Sequence, residues 1–363
     1  MFIILFFIIL LALVFVHEFG HFITAKWVGM RVDEFAFGFP PRIFSKKVGE
    51  TEYSVNALPL GGYVSIYGEN GEKDDVAKTD KRSFGNRPIW SQLFVLSAGV
   101  IMNILFAYFI FVVTSIGNTE ITLSDNQKFL GKVKETSVIV LDTSKGSPVQ
   151  MAGIKAGDRL LNLESRGAKI KGDTAEKTIS FIESHINEPI KITYKDLNNK
   201  IKDTTITGVY GILENKKALG IALDTVGVID ASFGDAIVLG KDKLKNIFFA
   251  VFGGMYHIGD SVLHGENVIN SFVGPIGIAK MVDDTKAFGF VALLTFTAVL
   301  SVNLAIFNSL PLPALDGGRF LIIILETIFK KKVPIKIMTI MNSFFFLLLI
   351  IMLIAVTVKD IIK

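Results

Sequence analysis

The chain has 363 residues, half of them hydrophobic, with 31 phenylalanines and a mean hydropathy of +0.50. That profile belongs to a membrane protein with a polar portion rather than to an ordinary soluble domain. A formal net charge of +4 leaves no basic footprint for nucleic acid, and the absence of cysteine excludes disulfides and thiolate metal sites, so any metal must be held by His, Asp or Glu.

Residues 1–24 open on MFIILFFIILLALVFV. The run has no basic n-region and no A-x-A-like cleavage site, so it is read as a retained span and not as a signal peptide. Residues 31–67 read as strands, with Gly61–Gly62 marking a bend or a close backbone approach. The segment 25–90 is also rich in Lys and Arg. A second apolar run covers 91–116, and residues 129–224 then turn polar, with Gly turns and short β-branched runs that predict a strand-rich soluble domain. Residues 237–259 place Leu244, Ile247, Phe248, Val251, Phe252, Met255 and Ile258 at helical spacing, behind Lys241, Asp242, Lys243 and Lys245. Two readings fit them: an amphipathic helix lying in the outer membrane interface, or a helix packed on protein. Runs at 288–310 and 337–358 bring the predicted spans to four, each near the roughly 20 residues that a bilayer requires. The basic connections 25–90 and 326–336 belong in the cytoplasm by the positive-inside rule, which leaves 117–287 outside.

The first span ends in His17-Glu18-Phe19-Gly20-His21. Ionisable groups are costly in a membrane and are kept mainly where they work. H-E-x-x-H on a helix puts two imidazoles one turn apart on one face, where both can ligate Zn²⁺, and sets a Glu beside them as general base. A catalytic zinc needs a third protein ligand. Asp316, in NSLPLPALDGGR, follows the third span, where Pro311 and Pro313 break the helix. Taken alone, an Asp at this place reads as a helix cap in a loop. Topology favours the metal role: with one span between them, the first and third spans run parallel, so His17 and Asp316 reach the same side. That holds only if 237–259 does not cross.

HEFGH in the first span together with N-x-x-P-x-P-x-L-D-G-G in a late one resembles the site-2 protease family of intramembrane zinc metalloproteases. Asn308, Pro311, Pro313, Leu315, Asp316, Gly317 and Gly318 carry the second motif. LPLGGYV (58–64), RPIWSQLFVLSAGVIMN (87–103) and VGPIGIAK (273–280) follow in the family's order, and 146–163 resembles the core of a bacterial PDZ domain. The likeness covers nearly the whole chain and is nearest to RseP-like bacterial members, with room for one PDZ domain instead of two.

The resemblance implies an α-helical membrane protein with four transmembrane helices, a membrane-associated β-hairpin region and one extracytoplasmic PDZ-like β-rich domain. The expected segments are 1–116, 129–224, 230–287 and 288–363. His17, His21 and Asp316 fall on zinc ligands, Glu18 on the catalytic base, and Asn308 on a substrate contact near the metal. An interhelical hydrogen bond would explain Asn308 as well, and is the reading adopted for Asn103 and Asn303. His185, His257 and His264 match no family ligand.

The expected activity is hydrolysis of peptide bonds within transmembrane segments, in a bacterial inner membrane. Substrates would be membrane proteins such as anti-sigma factors or remnant signal peptides. The strands around Gly61 and Gly62 would hold the unwound substrate by strand addition, and the PDZ domain would filter substrates by size. A purely structural hairpin and a passive spacer are the bland alternatives to these two roles. A catalytically silent PDZ scaffold need not keep all four of His17, Glu18, His21 and Asp316, and a transporter fits poorly with four spans and no repeat.

Overall fold

The computed structural model describes residues 2–69, 79–197, 199–213, 216–265, 268–286 and 288–362. The chain forms two compact units, Met1–Thr114 with Ala236–Lys363, and Ser115–Asp235.

Helix α1 (Phe2–Trp27) is apolar around its whole circumference over residues 2–16. A segment of that composition satisfies its backbone groups internally, which is what a lipid environment requires. It is followed by β1 (Val32–Val48) and β2 (Thr51–Ile66), an antiparallel pair that pairs twice. Residues 34–37 of β1 lie between 62–65 and 52–55 of β2, while 42–48 folds back onto 51–56. Two long bent strands thus make a sheet four ribbons wide, in the order 42–48, 51–56, 32–37, 62–66. Gly38 sits at the bend of β1 with φ +76°. The outer edge of 62–66 carries no further strand among the described residues.

Helix α2 (Ile89–Val113) returns beside α1. Gly20 permits the close approach: a Cβ there would meet the Ala98 carbonyl oxygen at 2.5 Å. Small residues at such crossings are how apolar helices gain contact without a hydrophobic driving force. The two tryptophans, Trp27 and Trp90, stand at adjoining helix ends and are 78% and 82% exposed. Tryptophans so placed mark a membrane interface.

The second unit is β-rich. Strands β3 (Gly117–Thr122) and β4 (Val133–Thr143) precede the short helix α3 (Pro148–Met151), β5 (Arg159–Ser165) and β6 (Ala168–Lys171). Helix α4 (Ala175–Ser184) precedes β7 (Ile190–Lys195), β8 (Ile201–Ile206), β9 (Val209–Leu213), β10 (Lys216–Ala218) and β11 (Ile221–Ala231). The main sheet runs β3-β11-β4-β5-β7-β8, with β6 on β5. Its core gathers Val138, Val140, Leu160, Leu163, Ile190 and Ile192 with Phe181 and Ile182 of α4. The unit reaches beyond 129–224 at both ends because β3 and the end of β11 belong to the same sheet, with Gly117 paired to Ala231. A groove of about 600 Å³ lies between α4, through Ile179 and Ile182, with Ile186 just beyond it, and the Leu219–Ala222 segment.

The chain re-enters the first unit through α5 (Phe233–Leu263). Its Leu244, Ile247, Phe248, Val251 and Met255 pack on α2 and on α7 (Phe290–Asn308). Phe249, Phe252 and Tyr256 remain exposed on the same helix, so one face packs on protein and the other stays open and apolar. Helix α6 (Pro275–Lys286) touches α1 through Val282, and α8 (Asp316–Phe329) precedes α9 (Ile335–Ile362). Asp360 on α9 accepts from the backbone N–H groups of Gly274 and Gly277, both at 2.9 Å, and so supplies the start of α6 with its capping carboxylate. Helices α1, α2, α7 and α9 are those long and apolar enough to cross a membrane among the described residues.

Candidate metal centre

The centre is assembled from α1, α2 and α8 around one apolar cluster. Ala25, Met30, Val32, Ile66, Phe84, Val95 and Leu96 form it, with Phe320 and Ile323 of α8 against them. That cluster fixes the H-E-x-x-H helix, the sheet and the helix carrying Asp316 in one frame.

His17 and His21, one turn apart on α1, are 6% and 8% exposed. Asp316 reaches them from the far end of the sequence because the break after α7 is tightly built. Ala314 has φ +79°, and its N–H is held by Asn342 Oδ1 at 3.2 Å. Gly317 and Gly318 press the start of α8 onto the loop; a Cβ at Gly318 would stand 2.1 Å from the Leu312 carbonyl oxygen. The outcome is Asp316 Oδ2 at 2.9 Å from His17 Nε2 and 3.2 Å from His21 Nε2, with the two Nε2 atoms 3.3 Å apart.

These three atoms fit a metal. Ligands about 2.0–2.1 Å from a tetrahedral zinc lie roughly 3.4 Å from one another. Two imidazoles and a carboxylate are also the donor set that zinc accepts in catalytic sites. His21 Nδ1 faces the Val95 carbonyl oxygen at 2.8 Å, an atom that only accepts, so Nδ1 carries the proton and a neutral ring turns its Nε2 lone pair toward Asp316. Lone pair and carboxylate repel unless a metal ion or a second ring proton lies between them.

Helix α2 leaves room for a cation there. A Cβ at Gly99 would stand 2.4 Å from His21 Nε2 and 2.8 Å from His17 Nε2, so any side chain there would fill the space in front of both ligand atoms. Asn103, one turn on and wholly buried, faces His17 Nδ1 with its amide at 3.2 Å.

Glu18 lies within electrostatic reach of His17, His21 and Asp316. The sheet approaches it through Gly62, where a Cβ would meet Glu18 Cγ at 3.5 Å and the Ala36 carbonyl oxygen at 2.8 Å. Gly61 lies against the Phe39 ring. Asn308 Nδ2 is 3.5 Å from His17 Nε2, at the outer limit of a hydrogen bond. Arg319, one turn after Asp316, donates to the Glu69 carboxylate and to its backbone oxygen, the latter at 2.8 Å, and ties α8 to the chain leaving β2.

His17, His21 and Asp316 come together among the described residues, and His185, His257 and His264 stay apart. His185 stacks on Phe181, His264 pairs with Asp260, and Asn303 bonds to Val299 of its own helix. Sequence reasoning passed over Gly99 and the Val95 carbonyl, and it read Asn103 as an interhelical bond. The Asn103 backbone does take such a bond, from Ser301 Oγ at 2.8 Å, but its side chain faces His17. A polar residue one turn from a glycine, inside an apolar span, was the available signal.

A model of peptidase family M50, the site-2 protease family, matches residues 5–352. The chain belongs to family M50. A Clostridium perfringens protein named as a candidate zinc metalloprotease is 33% identical over 355 residues, 97% of this chain and 96% of its own. A Fusobacterium nucleatum protein of the same description is 30% identical over 318 residues, 87% and 86% of the two chains. The regulator of sigma-W protease of Bacillus subtilis is 27% identical over 402 aligned positions, 90% of each chain. This M50 member is thus a multi-pass membrane zinc metalloprotease of the site-2 type.

Proposed function

We propose that this M50 protease hydrolyses peptide bonds inside transmembrane segments, with His17, His21 and Asp316 holding Zn²⁺ and Glu18 acting as general base. The observation that carries the reading is the meeting of H-E-x-x-H, on a helix of spanning length, with Asp316 at 2.9 and 3.2 Å. Zinc, when bound, supplies a nucleophilic water near neutral pH and polarises the scissile carbonyl. Glu18 takes the proton of the attacking water and returns it to the leaving amine. Asn308 Nδ2 faces the same space and donates to the substrate carbonyl oxygen as it gains charge.

A helical substrate must unwind before its carbonyl is reachable, and the freed backbone groups need partners. The open edge 62–66 supplies them by strand addition, and Gly62 keeps that edge close to Glu18. Substrates are then membrane proteins, of the kind that anti-sigma factors and remnant signal peptides represent. The basic segments 25–90 and 326–336 and the exposed Trp27 and Trp90 support a cytoplasmic position for this end of the spans, in a bacterial inner membrane.

The β-rich unit then faces outward as a PDZ-like filter. Two features support this: the groove beside α4, and the start of β11 at 221–224, which among the described residues pairs with β4 alone while β3 covers only 226–231. An extended peptide can add to that free stretch.

The test is Glu18→Gln. The variant keeps its zinc by elemental analysis and fails to cleave a transmembrane segment in proteoliposomes. Cleavage at the unaltered rate refutes the mechanism.

A further inference from the structure

We infer that Asn103 is a positioning residue for the metal centre, with its side-chain oxygen accepting a hydrogen bond from Nδ1–H of His17. The inference rests on His17 being a ligand. The residues on one face of α2, each a turn apart, back the two imidazoles in succession: the Val95 carbonyl behind His21, the bare Gly99 before both Nε2 atoms, and the Asn103 amide behind His17.

The Asn103 side chain is wholly buried, and its Nδ2 lies 3.2 Å from His17 Nδ1. Its Oδ1 is buried with no hydrogen-bond partner among the described residues. A buried amide oxygen left unsatisfied is costly. Oxygen and nitrogen of an amide exchange places by a half-turn about the last side-chain bond, and their assignment follows the surrounding hydrogen bonds. The half-turn brings Oδ1 to His17 Nδ1 and carries Nδ2 to the place that Oδ1 leaves, so the tautomer the ligand atom needs decides between the two orientations. With Nδ1 donating, the neutral ring presents a free lone pair at Nε2, the atom 2.9 Å from Asp316. A metal-ligating His is oriented in this way, through a hydrogen bond from its other ring nitrogen. The opposite orientation has Nδ2 donating to Nδ1, which places the ring proton on Nε2 and blocks the ligand atom.

Asn103 is itself fixed. Ser301 on α7, fully buried, donates to its backbone oxygen at 2.8 Å. Helix α7 thereby holds the residue that orients His17, and its own C-terminal break delivers Asp316.

The two orientations predict opposite results for Asn103→Asp. A carboxylate accepts from Nδ1–H and cannot donate. The experiment measures zinc affinity of the purified full-length protein in detergent by chelator competition, with the visible absorption of the cobalt-loaded protein as a second readout. Asn103→Leu, of the same branched outline, lowers zinc affinity by about 10–100-fold and shifts the cobalt bands. Asn103→Asp retains affinity within about threefold of the unaltered protein. Equal losses in both variants would overturn the acceptor role, and so would unaltered affinity in both. If Asn103→Leu does not fold, Asn103→Asp decides alone: zinc retained supports the inference and zinc lost refutes it. His17→Ala separates the underlying reading, because zinc bound at unaltered affinity there means that His17 is not a ligand.

Discussion

Gly99→Ala should empty the metal centre without disturbing the helix that carries it. The glycine is helical and has no positive φ, so alanine meets no backbone objection. The added methyl is the whole perturbation. It would stand 2.4 Å from His21 Nε2 and 2.6 Å from His17 Cε1, whereas ordinary contact begins near 3.5 Å, so at least one ring must retreat by about 1 Å. Zinc sites tolerate ligand displacements of about 0.2 Å. Structural zinc sites of four ligands bind with about 10–16 kcal/mol, so losing one ligand is worth about 3 kcal/mol, roughly a hundredfold in affinity. The assay is chelator competition on purified protein, beside Gly253→Ala on α5, where a Cβ meets nothing within 4 Å. Gly99→Ala that binds zinc as tightly as Gly253→Ala would show that the methyl does not face the metal position, and the geometry given for α2 would be wrong.

Three further outcomes follow from other parts of the structure. Asp316→Ala loses zinc under mild chelation, whereas His257→Ala, on the exposed run of α5, retains it; equal retention in both places the third ligand elsewhere. Arg319→Met destabilises the protein by about 1–2 kcal/mol, after allowance for partial exposure of the Glu69 pair, and slows proteolysis by loosening α8 from the sheet while zinc content stays near normal. Replacing 117–231 by a short flexible linker is geometrically mild, because Gly117 and Ala231 are paired neighbours at the base of the unit. The shortened protein keeps its zinc and cleaves a transmembrane substrate with a folded outer domain that the full chain excludes; slower cleavage of every substrate indicates a positioning role instead.

Physical signals of different strength divide what the sequence reveals from what it hides. Apolar runs of spanning length are the strongest, and α1, α2, α7 and α9 lie on the four runs that composition singles out. H-E-x-x-H is legible because its two imidazoles depend on helical spacing alone. Asp316 needed an argument from span parity, since a lone Asp after a proline break has many uses. The contribution of α2 was hidden. Gly99 looks like any small residue at a helix crossing, and its purpose appears only when the ligand atoms opposite it are located. The doubled pairing of β1 and β2 was hidden too, because alternation within a strand records which face is buried and not how many neighbours it has. The carbonyl of Val95 leaves no trace in the sequence, since every residue has one.

His17 and Asp316 are 299 positions apart, and that distance bears on how the enzyme is made. A chain still being synthesised holds the two imidazoles, Glu18 and the sheet long before the third donor is translated. Two neutral nitrogens alone grip zinc weakly. With the proposed ligand set, the competent centre closes only after α7 has been inserted and the turn beyond it has folded. The proposed mechanism thus gives biosynthesis a safety catch: a nascent or truncated copy, surrounded by other unfolded membrane segments at the site of insertion, would lack the third donor needed to cut them.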